Sequence, residues 1–223
     1  MERYRRQIQF KGLGASGQER LLAADVAIVG LGASGSVVAQ SLARAGVGRL
    51  RLIDRDIVEL DNLARQVLYS EADAQAGRPK ALAAAAALTA ANSAIRADAM
   101  VLEVSTATID EALGGADLII DGSDSMALRY LINEWCVREA RPWIYIGLVG
   151  GYGLTATILP DAACLHCMFG PLPSAGSLPT CATDGVVGPI ASLVAQAGAT
   201  EALKLLAGAG SLNPGLLSID GWR

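Results

Sequence analysis

The chain has 223 residues, 52% of them hydrophobic and 18% charged, with a formal net charge of −4. This length predicts one domain, and the net negative charge gives no support to nonspecific nucleic-acid binding. The longest alanine-rich run, residues 81–91, is too short to span a bilayer, which needs about 20 apolar residues. The Arg-rich first ten residues are not followed by the apolar segment of a secretory signal. We therefore expect no nucleic-acid partner, no membrane partner and a cytoplasmic location, where the four cysteines would stay reduced.

Strands and helices alternate over residues 1–150. The apolar run VAIVG predicts a buried parallel strand, and the helix after it ends at Gly46. In chain order we predict strand 26–30, helix 34–45, strand 50–53, a helix opened by Pro79, strand 95–101, strand 117–120, helix 126–139 and strand 143–147. This order is typical of an α/β fold with a Rossmann-like, doubly wound, mostly parallel sheet.

The pattern changes after Gly150. Residues 153–159 predict an added antiparallel strand, residues 188–208 a long helix and residues 216–219 a last strand. Between them, residues 160–185 hold three of the cysteines together with Pro171, Pro173 and Pro179, which predicts a long mobile loop. We interpret the chain as one domain, residues 1–223, with a first part over 1–150 and an antiparallel extension with a Cys-containing crossover loop over 151–223.

A glycine motif joins the first predicted strand to its helix. Gly30-Leu31-Gly32-Ala33-Ser34-Gly35 has the G-x-G-x-x-G pattern, which lets a phosphate or ribose approach the backbone at a helix N-terminus. Asp54 ends the next strand, where a carboxylate can accept hydrogen bonds from both ribose hydroxyls. The combination predicts a nucleotide site. The alternative is a tight strand–helix turn with a solvated Asp54.

Polar residues farther along favour a triphosphate over NAD. Asn62 and Arg65 lie in DNLARQ and Lys80 lies in GRPK, which provides an amide and two cations. Asp124 follows the strand DLII at the carboxyl end of the sheet, where a carboxylate could hold Mg²⁺. Taken singly, Arg65 and Lys80 could be solvated surface charges, and Asp124 could instead cap the next helix.

The ordered motifs of the whole chain resemble the bacterial ThiF/MoeB/HesA family, which is related to ubiquitin-activating enzymes. The matching segments are RYRRQ, GQE, VAIVGLGASG, AGVGRLRLIDRD, DNLARQ, GRPK, DGSD, Cys164-Leu165-His166-Cys167 and Thr180-Cys181. The resemblance implies a homodimer that uses ATP to adenylate the C-terminal Gly-Gly carboxylate of a small ubiquitin-fold sulfur carrier protein.

The resemblance also implies roles for individual residues. Gly30, Gly32, Ala33, Gly35, Asp54 and Asp56 would form the adenosine side of the site, although Ala33 replaces a common glycine. Asn62, Arg65 and Lys80 would hold phosphates, and Asp124 would bind Mg²⁺, with Ser125 where many members have Asn. Arg6 would reach the triphosphate of the partner subunit. The catalytic set implied in this way is Arg6, Arg65, Lys80, Asp124 and Cys181.

The cysteines carry two further expectations from the resemblance. Cys164 and Cys167 would form half of a zinc site, with His166 as a bystander. The family usually adds a second Cys-x-x-Cys after the last strand, and none follows within these 223 residues. Either ligands beyond them complete the site or this member lacks it. Cys181 is expected to be an exposed loop thiol, which forms a thioester, an acyl disulfide or no essential adduct, depending on the member.

Three alternatives to this function stay open. An enzyme of the same family could adenylate another carboxylate or an amide. An NAD-dependent dehydrogenase would explain the glycine motif and Asp54 but not Arg65, Lys80 and Asp124. A noncatalytic binding subunit would be expected to lose the phosphate cations and the metal-binding acid, all of which this sequence retains.

Overall fold

A single seven-stranded sheet organises the molecule. The computed structural model describes residues 1–174, 176 and 181–223, with Cys181 and Ala182 described by their backbone alone. The strands are β1 (Asp25–Val29), β2 (Arg49–Ile53), β3 (Arg96–Met100), β4 (Leu118–Asp121), β5 (Trp143–Val149), β6 (Tyr152–Ile158) and β7 (Leu217–Asp220). Their order across the sheet is β3-β2-β1-β4-β5-β6-β7. The first five are parallel, and β6 and β7 are antiparallel additions.

Helices cover both faces of the sheet. They are α1 (Arg5–Ile8), α2 (Gly14–Ala23), α3 (Gly35–Ala45), α4 (Glu71–Gln75), α5 (Lys80–Ala91), α6 (Ile109–Leu113), α7 (Met126–Arg138), α8 (Leu165–Phe169), α9 (Cys181–Asp184) and α10 (Gly188–Ala207). One face of the sheet packs against α2, α3, α5 and α10, and the other against α6, α7 and α8. The central strands β1 and β4 are buried on both faces, which explains their nearly continuous apolar sequences.

Helix α10 is, by length and composition, the one helix in the described part of the chain that could cross a membrane. It nevertheless packs as a core helix, with Val194, Ala195, Ala199 and Ala202 in the same apolar cluster as Val26 of β1. The small alanine side chains bring the helix close to the sheet. Its apolar composition is therefore accounted for by packing inside the protein.

The predicted α/β fold is confirmed, including the antiparallel strands at its C-terminal end. The expectation of an irregular 160–185 segment was wrong in part. Helix α8 forms because Leu165 is fully buried and its N–H donates to Asn133 Oδ1 of α7 at 2.8 Å. Cys181 begins α9 instead of lying in a loop, and Pro179 and Thr180 lie outside the described residues. The sequence analysis also missed α2 and α6.

Candidate functional site

The site lies at the carboxyl ends of β1 and β4, where the strand order reverses. This is the position at which open α/β sheets bind ligands. The two strands are followed by Gly30 and Gly122, which meet backbone to backbone. A Cβ on Gly122 would lie 2.6 Å from the carbonyl oxygen of Gly30, and Gly30 has φ of +83°. Gly35 packs into the same contact, since its Cβ would overlap that carbonyl oxygen.

A cavity of about 870 Å³ opens above this glycine contact. It collects most of the residues that the sequence assigned to nucleotide binding: Gly30, Gly32, Ala33, Asp54, Asp56, Asn62, Arg65, Lys80 and Asp124. Gly35 is not among the lining residues, so the role that the structure shows for it is close packing of α3 against β1 and β4. The lining also includes large apolar side chains, among them Tyr145, Leu154 and Phe169.

The glycine turn presents unpaired backbone donors. The N–H groups of Gly32, Ala33 and Ser34 have no hydrogen-bond partner among the described residues. They precede α3, an eleven-residue helix whose N-terminus carries positive potential. A Cβ on Gly32 would approach nothing closer than Gln66 Nε2, at 3.9 Å, so the space beside this residue is open. Such a turn can accept an anionic group.

Asp54 is held rigidly beside the turn. Its Oδ2 accepts a hydrogen bond from the Leu31 N–H at 2.7 Å, and its Oδ1 accepts one from the Asp56 N–H at 2.8 Å. Each carboxylate oxygen keeps a second lone pair, so the side chain can still accept ribose hydroxyls. Burial raises the pKa of Asp54 above its ordinary value, whereas the two N–H donors and the charge of Lys80 act against the rise.

Lys80 is an almost buried cation, 7% exposed, at the start of α5. Its position follows from pairing between residues 56–58 and 78–80, in which the Lys80 N–H donates to the Asp56 carbonyl at 2.9 Å. Pro79 is the N-cap of the helix and not its first residue. The ammonium group lies 3.4 Å from Asp56 Oδ2. Because Asp56 is itself 58% exposed, this pair is open to solvent and ligand on one side.

The DNLARQ segment begins in the 3-10 turn Leu60–Asn62, beside the cavity. Asn62 is largely committed to that turn, since its Oδ1 accepts from the Glu59 N–H and its Nδ2 donates to Asp61. Arg65 donates only to the Asp61 carbonyl, at 2.7 Å, and has no carboxylate partner in the described part of the chain. Arg65 therefore offers more unused donors to a phosphate than Asn62 does.

Asp124 lies on the loop after β4, exposed and lining the cavity. The alternative that it caps the next helix is wrong, because the N-cap of α7 is Ser125, whose Oγ accepts from the Leu128 N–H at 3.3 Å. Asp124 makes no hydrogen bond or ion pair with any described residue. An unpaired carboxylate suits a hard cation.

A buried ion pair that the sequence analysis missed supports this loop. Arg129 of α7 donates through Nε to Asp121 Oδ2 at 3.1 Å, and both side chains are buried. Its Nη2 donates to the carbonyl of Ser123 at 2.6 Å and to that of Ile146 at 3.1 Å. One guanidinium thus joins the ends of β4 and β5 to the loop that carries Asp124. The sequence shows only that Arg129 follows the candidate metal ligand Asp124 by five residues. Its hydrogen-bond partners can be identified only from the fold.

Arg6 does not reach the cavity of its own chain. It lies on α1, is exposed and donates to Gln9 Oε1 at 3.4 Å. The N-terminal segment is nevertheless fixed: Gln7 donates to Gln18 and to the Ala45 carbonyl, and the Tyr4 hydroxyl accepts from Asn92. Arg6 is therefore presented on a defined surface, apart from the other predicted phosphate ligands.

Cys164 is the N-cap residue of α8 and Cys167 lies within that helix, with the two sulfur atoms 3.6 Å apart. Burial acts to raise the pKa of the Cys164 thiol, but hydrogen bonds from Cys167, His166 and Asn133 outweigh it and lower the pKa. His166 is turned away toward Glu134, at 3.7 Å, and stacks edge-on with Tyr130. Among the described residues, no group of three or more His, Cys, Asp or Glu side chains is placed to hold a metal ion.

Comparison with known proteins agrees with this geometry. Residues 4–223 match the ThiF family. The chain is 41% identical over 222 residues to the sulfur carrier protein ThiS adenylyltransferase of Bacillus subtilis, covering 99% of this chain and 65% of that protein. It is 37% identical over 217 residues to the SAMP-activating enzyme E1 of Haloferax volcanii, covering 97% of this chain and 80% of that protein.

The fold also matches that of a solved structure. A crystal structure of E. coli MccB with ATP has a TM-score of 0.82 and 25% sequence identity, covering 99% of this chain and 72% of that one. The chain spans 65% of the Bacillus relative, which is less than two thirds of that protein's length. Because the family match covers nearly the whole chain and the relatives agree with it, the chain belongs to the ThiF family.

Proposed function

We propose that this chain is an ATP-dependent adenylyltransferase that activates the C-terminal Gly-Gly carboxylate of a small ubiquitin-fold sulfur carrier protein. The observation that carries the proposal is one cavity that combines unpaired N–H donors with the cations of Lys80 and Arg65 and the unpaired carboxylate of Asp124. The names of the Bacillus and Haloferax relatives support the class of partner. A dehydrogenase has less support, because hydride transfer needs neither Lys80 and Arg65 nor Asp124.

The chemistry needs no general base. The carrier carboxylate is ionised at neutral pH and acts as the nucleophile. One of its oxygens forms a bond to the α-phosphorus of ATP, the bond from that phosphorus to the bridging oxygen breaks, and pyrophosphate leaves with the electron pair. The protein must position two anions and stabilise the charge that moves toward the leaving group. In our proposal Lys80 and Arg65 bind the phosphates and Asp54 binds the ribose.

Asp124 fits a magnesium ion through its donor chemistry and its unpaired state. Asp124 would hold the ion, and the Arg129–Asp121 pair would keep the loop in place. When bound, the ion would neutralise part of the negative charge of the triphosphate. Cys164 and Cys167 could contribute two thiolates to zinc, which takes four ligands in structural sites, so the remaining two would have to come from elsewhere.

The proposal includes a cytoplasmic homodimer in which Arg6 acts on the nucleotide of the partner subunit. The support is geometric: α1 holds Arg6 on a fixed outer surface and away from the cavity of its own chain. The backbone of Cys181 begins α9, close along the chain to Val186, which lines the cavity. A thiolate in this segment could attack the acyl carbon of the adenylate and form a thioester, while the bond from that carbon to the phosphate oxygen breaks and AMP leaves.

An ATP–pyrophosphate exchange assay tests the proposal. We expect exchange when the chain is given a carrier ending in Gly-Gly, and none when the same carrier lacks its last two residues. Lys80→Ala should reduce exchange by about 100-fold, the order expected for losing a charge-stabilising group. Lys204→Ala on the outer side of α10, which removes a pair with Glu201, is the matched control and should keep full exchange. Absence of exchange with every Gly-Gly carrier would contradict the proposal.

A further inference from the structure

The ring of Tyr145 lies along strand β5, toward the carboxyl end of that strand. Side chains two residues apart in a strand share one face of the sheet, so a side chain at residue 147 would meet this ring. Residue 147 is glycine, and a Cβ built on it would overlap the Tyr145 hydroxyl. The ring therefore fills the space beside Gly147, and its hydroxyl lies at the end of the sheet where the cavity opens.

The Tyr145 hydroxyl makes no hydrogen bond with any described residue. Tyr145 is 5% exposed, and its ring contacts Arg129, Trp143 and Phe169. Burial raises the pKa of Tyr145, so the hydroxyl stays protonated at neutral pH and can donate a hydrogen bond. Buried polar groups are nearly always hydrogen-bonded, and a phenylalanine would pack here without an unused polar atom. The hydroxyl in the cavity is therefore explained best by a ligand.

A second little-used donor lies beside the same glycine. Arg129 Nη1 is 3.5 Å from the position that a Cβ on Gly147 would occupy. Its one acceptor in the described part of the chain is Met126 Sδ, at 3.5 Å, and a thioether is a weak acceptor. A hydroxyl and a cationic N–H that lie beside one position suit the oxygens of a carboxylate.

The order of the strands places these two donors beyond the proposed nucleotide. Asp54 follows β2, the glycine turn follows β1, Asp124 follows β4 and Tyr145 lies on β5, which is the next strand of the sheet. Neighbouring strands are about 4.8 Å apart. A nucleotide with its ribose at Asp54 and its phosphates near Asp124 would run across β1 and β4. It would leave the β5 side of the cavity to the acyl substrate.

We propose that Tyr145 is a specificity-determining residue, whose hydroxyl donates a hydrogen bond to the terminal carboxylate of the carrier protein. This inference rests on the proposed adenylyltransferase function and names a contact of its second substrate. The hydroxyl holds one carboxylate oxygen beside the charge of Arg129 and leaves the other oxygen free to attack the α-phosphorus. A free carboxylate is favoured over an amidated C-terminus, because hydrogen bonds to a charged acceptor are stronger than those to a neutral one.

The variant Tyr145→Phe tests this inference, because it removes one oxygen and keeps the ring contacts. The probe is a Gly-Gly carrier that supports pyrophosphate exchange, prepared with its free terminal carboxylate and as the terminal amide. We expect the dissociation constant of the free-carboxylate form, measured by calorimetry without ATP, to rise about tenfold, the order for one hydrogen bond to a charged group. The dissociation constants of the amide form and of ATP should stay at their wild-type values.

Tyr130→Phe is the matched control. Tyr130 is also a buried tyrosine, but its hydroxyl donates to the Gly170 carbonyl at 2.8 Å. Its replacement should lower the midpoint of thermal unfolding and keep the preference for the free carboxylate. Tyr145→Phe should give the reverse pattern, an unchanged or higher midpoint with the preference lost, because the oxygen that it removes has no partner within the described chain.

Three results with Tyr145→Phe would overturn the inference while leaving the proposed function standing. The first is an unchanged dissociation constant for the free-carboxylate carrier. The second is an equal rise for both forms of the carrier, which would place the hydroxyl on another part of the carrier tail. The third is a rise for ATP alone, which would make Tyr145 a nucleotide ligand. Failure of every Gly-Gly carrier to support exchange with the wild-type chain would instead overturn the proposed function, and this inference with it.

Discussion

Arg129 and Asp121 form a buried ion pair directly beneath the loop that carries Asp124. The guanidinium also lies 5.2 Å from the centre of the Tyr145 ring, on the wall of the cavity. A buried pair of this kind contributes little net stability, but breaking it leaves an uncompensated charge in the interior. We interpret it as the support that fixes the position of the loop relative to β4 and β5.

Replacing Arg129 by Lys should impair the site more than the fold. Lysine keeps the charge but cannot donate to Asp121, Ser123 and Ile146 together, because it lacks the planar fork of arginine. We expect the KM for ATP in pyrophosphate exchange to rise about tenfold. The free energy of unfolding should stay within about 2 kcal/mol of the wild-type value. Arg138→Lys, at the exposed end of the same helix, should change neither quantity. Wild-type kinetics for Arg129→Lys would mean that the loop is positioned without this residue.

Arg6 should complement a defective site in trans. An Arg6→Ala chain and a Lys80→Ala chain are each expected to be inactive as homodimers. After mixing in equal amounts and subunit exchange, half of the dimers would be mixed, each with one intact site, which gives about a quarter of wild-type pyrophosphate exchange. The activity of the mixture is the measurement. If mixing restores nothing although mixed dimers form, then Arg6 acts within its own chain or on another step.

The stability of the protein should depend on the titration of Asp54. Its pKa is raised in the folded state by burial, so the folded protein holds this proton more tightly than the unfolded chain. The contribution of Asp54 to stability is therefore present below the unfolded pKa and lost as pH rises through the folded pKa. The midpoint of thermal unfolding should be higher for Asp54→Asn than for wild type, and the difference should grow as pH rises through this range.

Protonation of Asp54 should also weaken the binding of ATP. Protonated Asp54 accepts ribose hydroxyls less well, so wild-type ATP affinity should fall as pH is lowered through a value above the ordinary 3.8 of an aspartate. Asp54→Asn should bind ATP weakly at every pH and show no such transition. Calorimetric titrations at a series of pH values make the comparison. A wild-type affinity that does not change over this range would argue against a ribose contact by Asp54.

Cys181→Ala should separate activation from acyl transfer. Pyrophosphate exchange should survive, because the carboxylate attacks ATP without help from a thiol. A covalent adduct between the chain and its carrier, detected by mass spectrometry of the intact protein, should disappear. Cys136→Ala is a control for a buried thiol, since burial raises the pKa of Cys136 to a range where the thiolate is scarce. Loss of exchange in Cys181→Ala, or an adduct that persists, would assign the residue to a different step.

The sequence predicted those parts of the fold that local patterns encode. The run from Val26 to Gly30 and the later Asp54 define a strand–helix–strand unit by periodicity, and the structure confirms it. Helix α2 was missed because its buried positions, Gly17, Gln18 and Leu21, are mostly small or polar. The sequence of α2 therefore shows only a weak apolar pattern, and α10, the helix that it packs against, is distant along the chain.

The residues of the candidate site also differ in whether the sequence could predict them. Gly32, Lys80 and Asp124 could be selected from motif and spacing, and they do meet at one cavity. Arg129 could not, because its role depends on burial and on partners that are distant in sequence. A buried guanidinium has no local signature in the sequence, whereas a glycine turn does.

The backbone contact between Gly30 and Gly122 determines how this site can diversify. A side chain at Gly122 would press on the opposite carbonyl, so the floor of the cavity tolerates almost no substitution. The apolar wall that includes Tyr145, Leu154 and Phe169 is instead formed by side chains of different sizes. A change of acyl substrate during evolution would therefore be expected to leave its record on that wall, while the nucleotide floor stays the same.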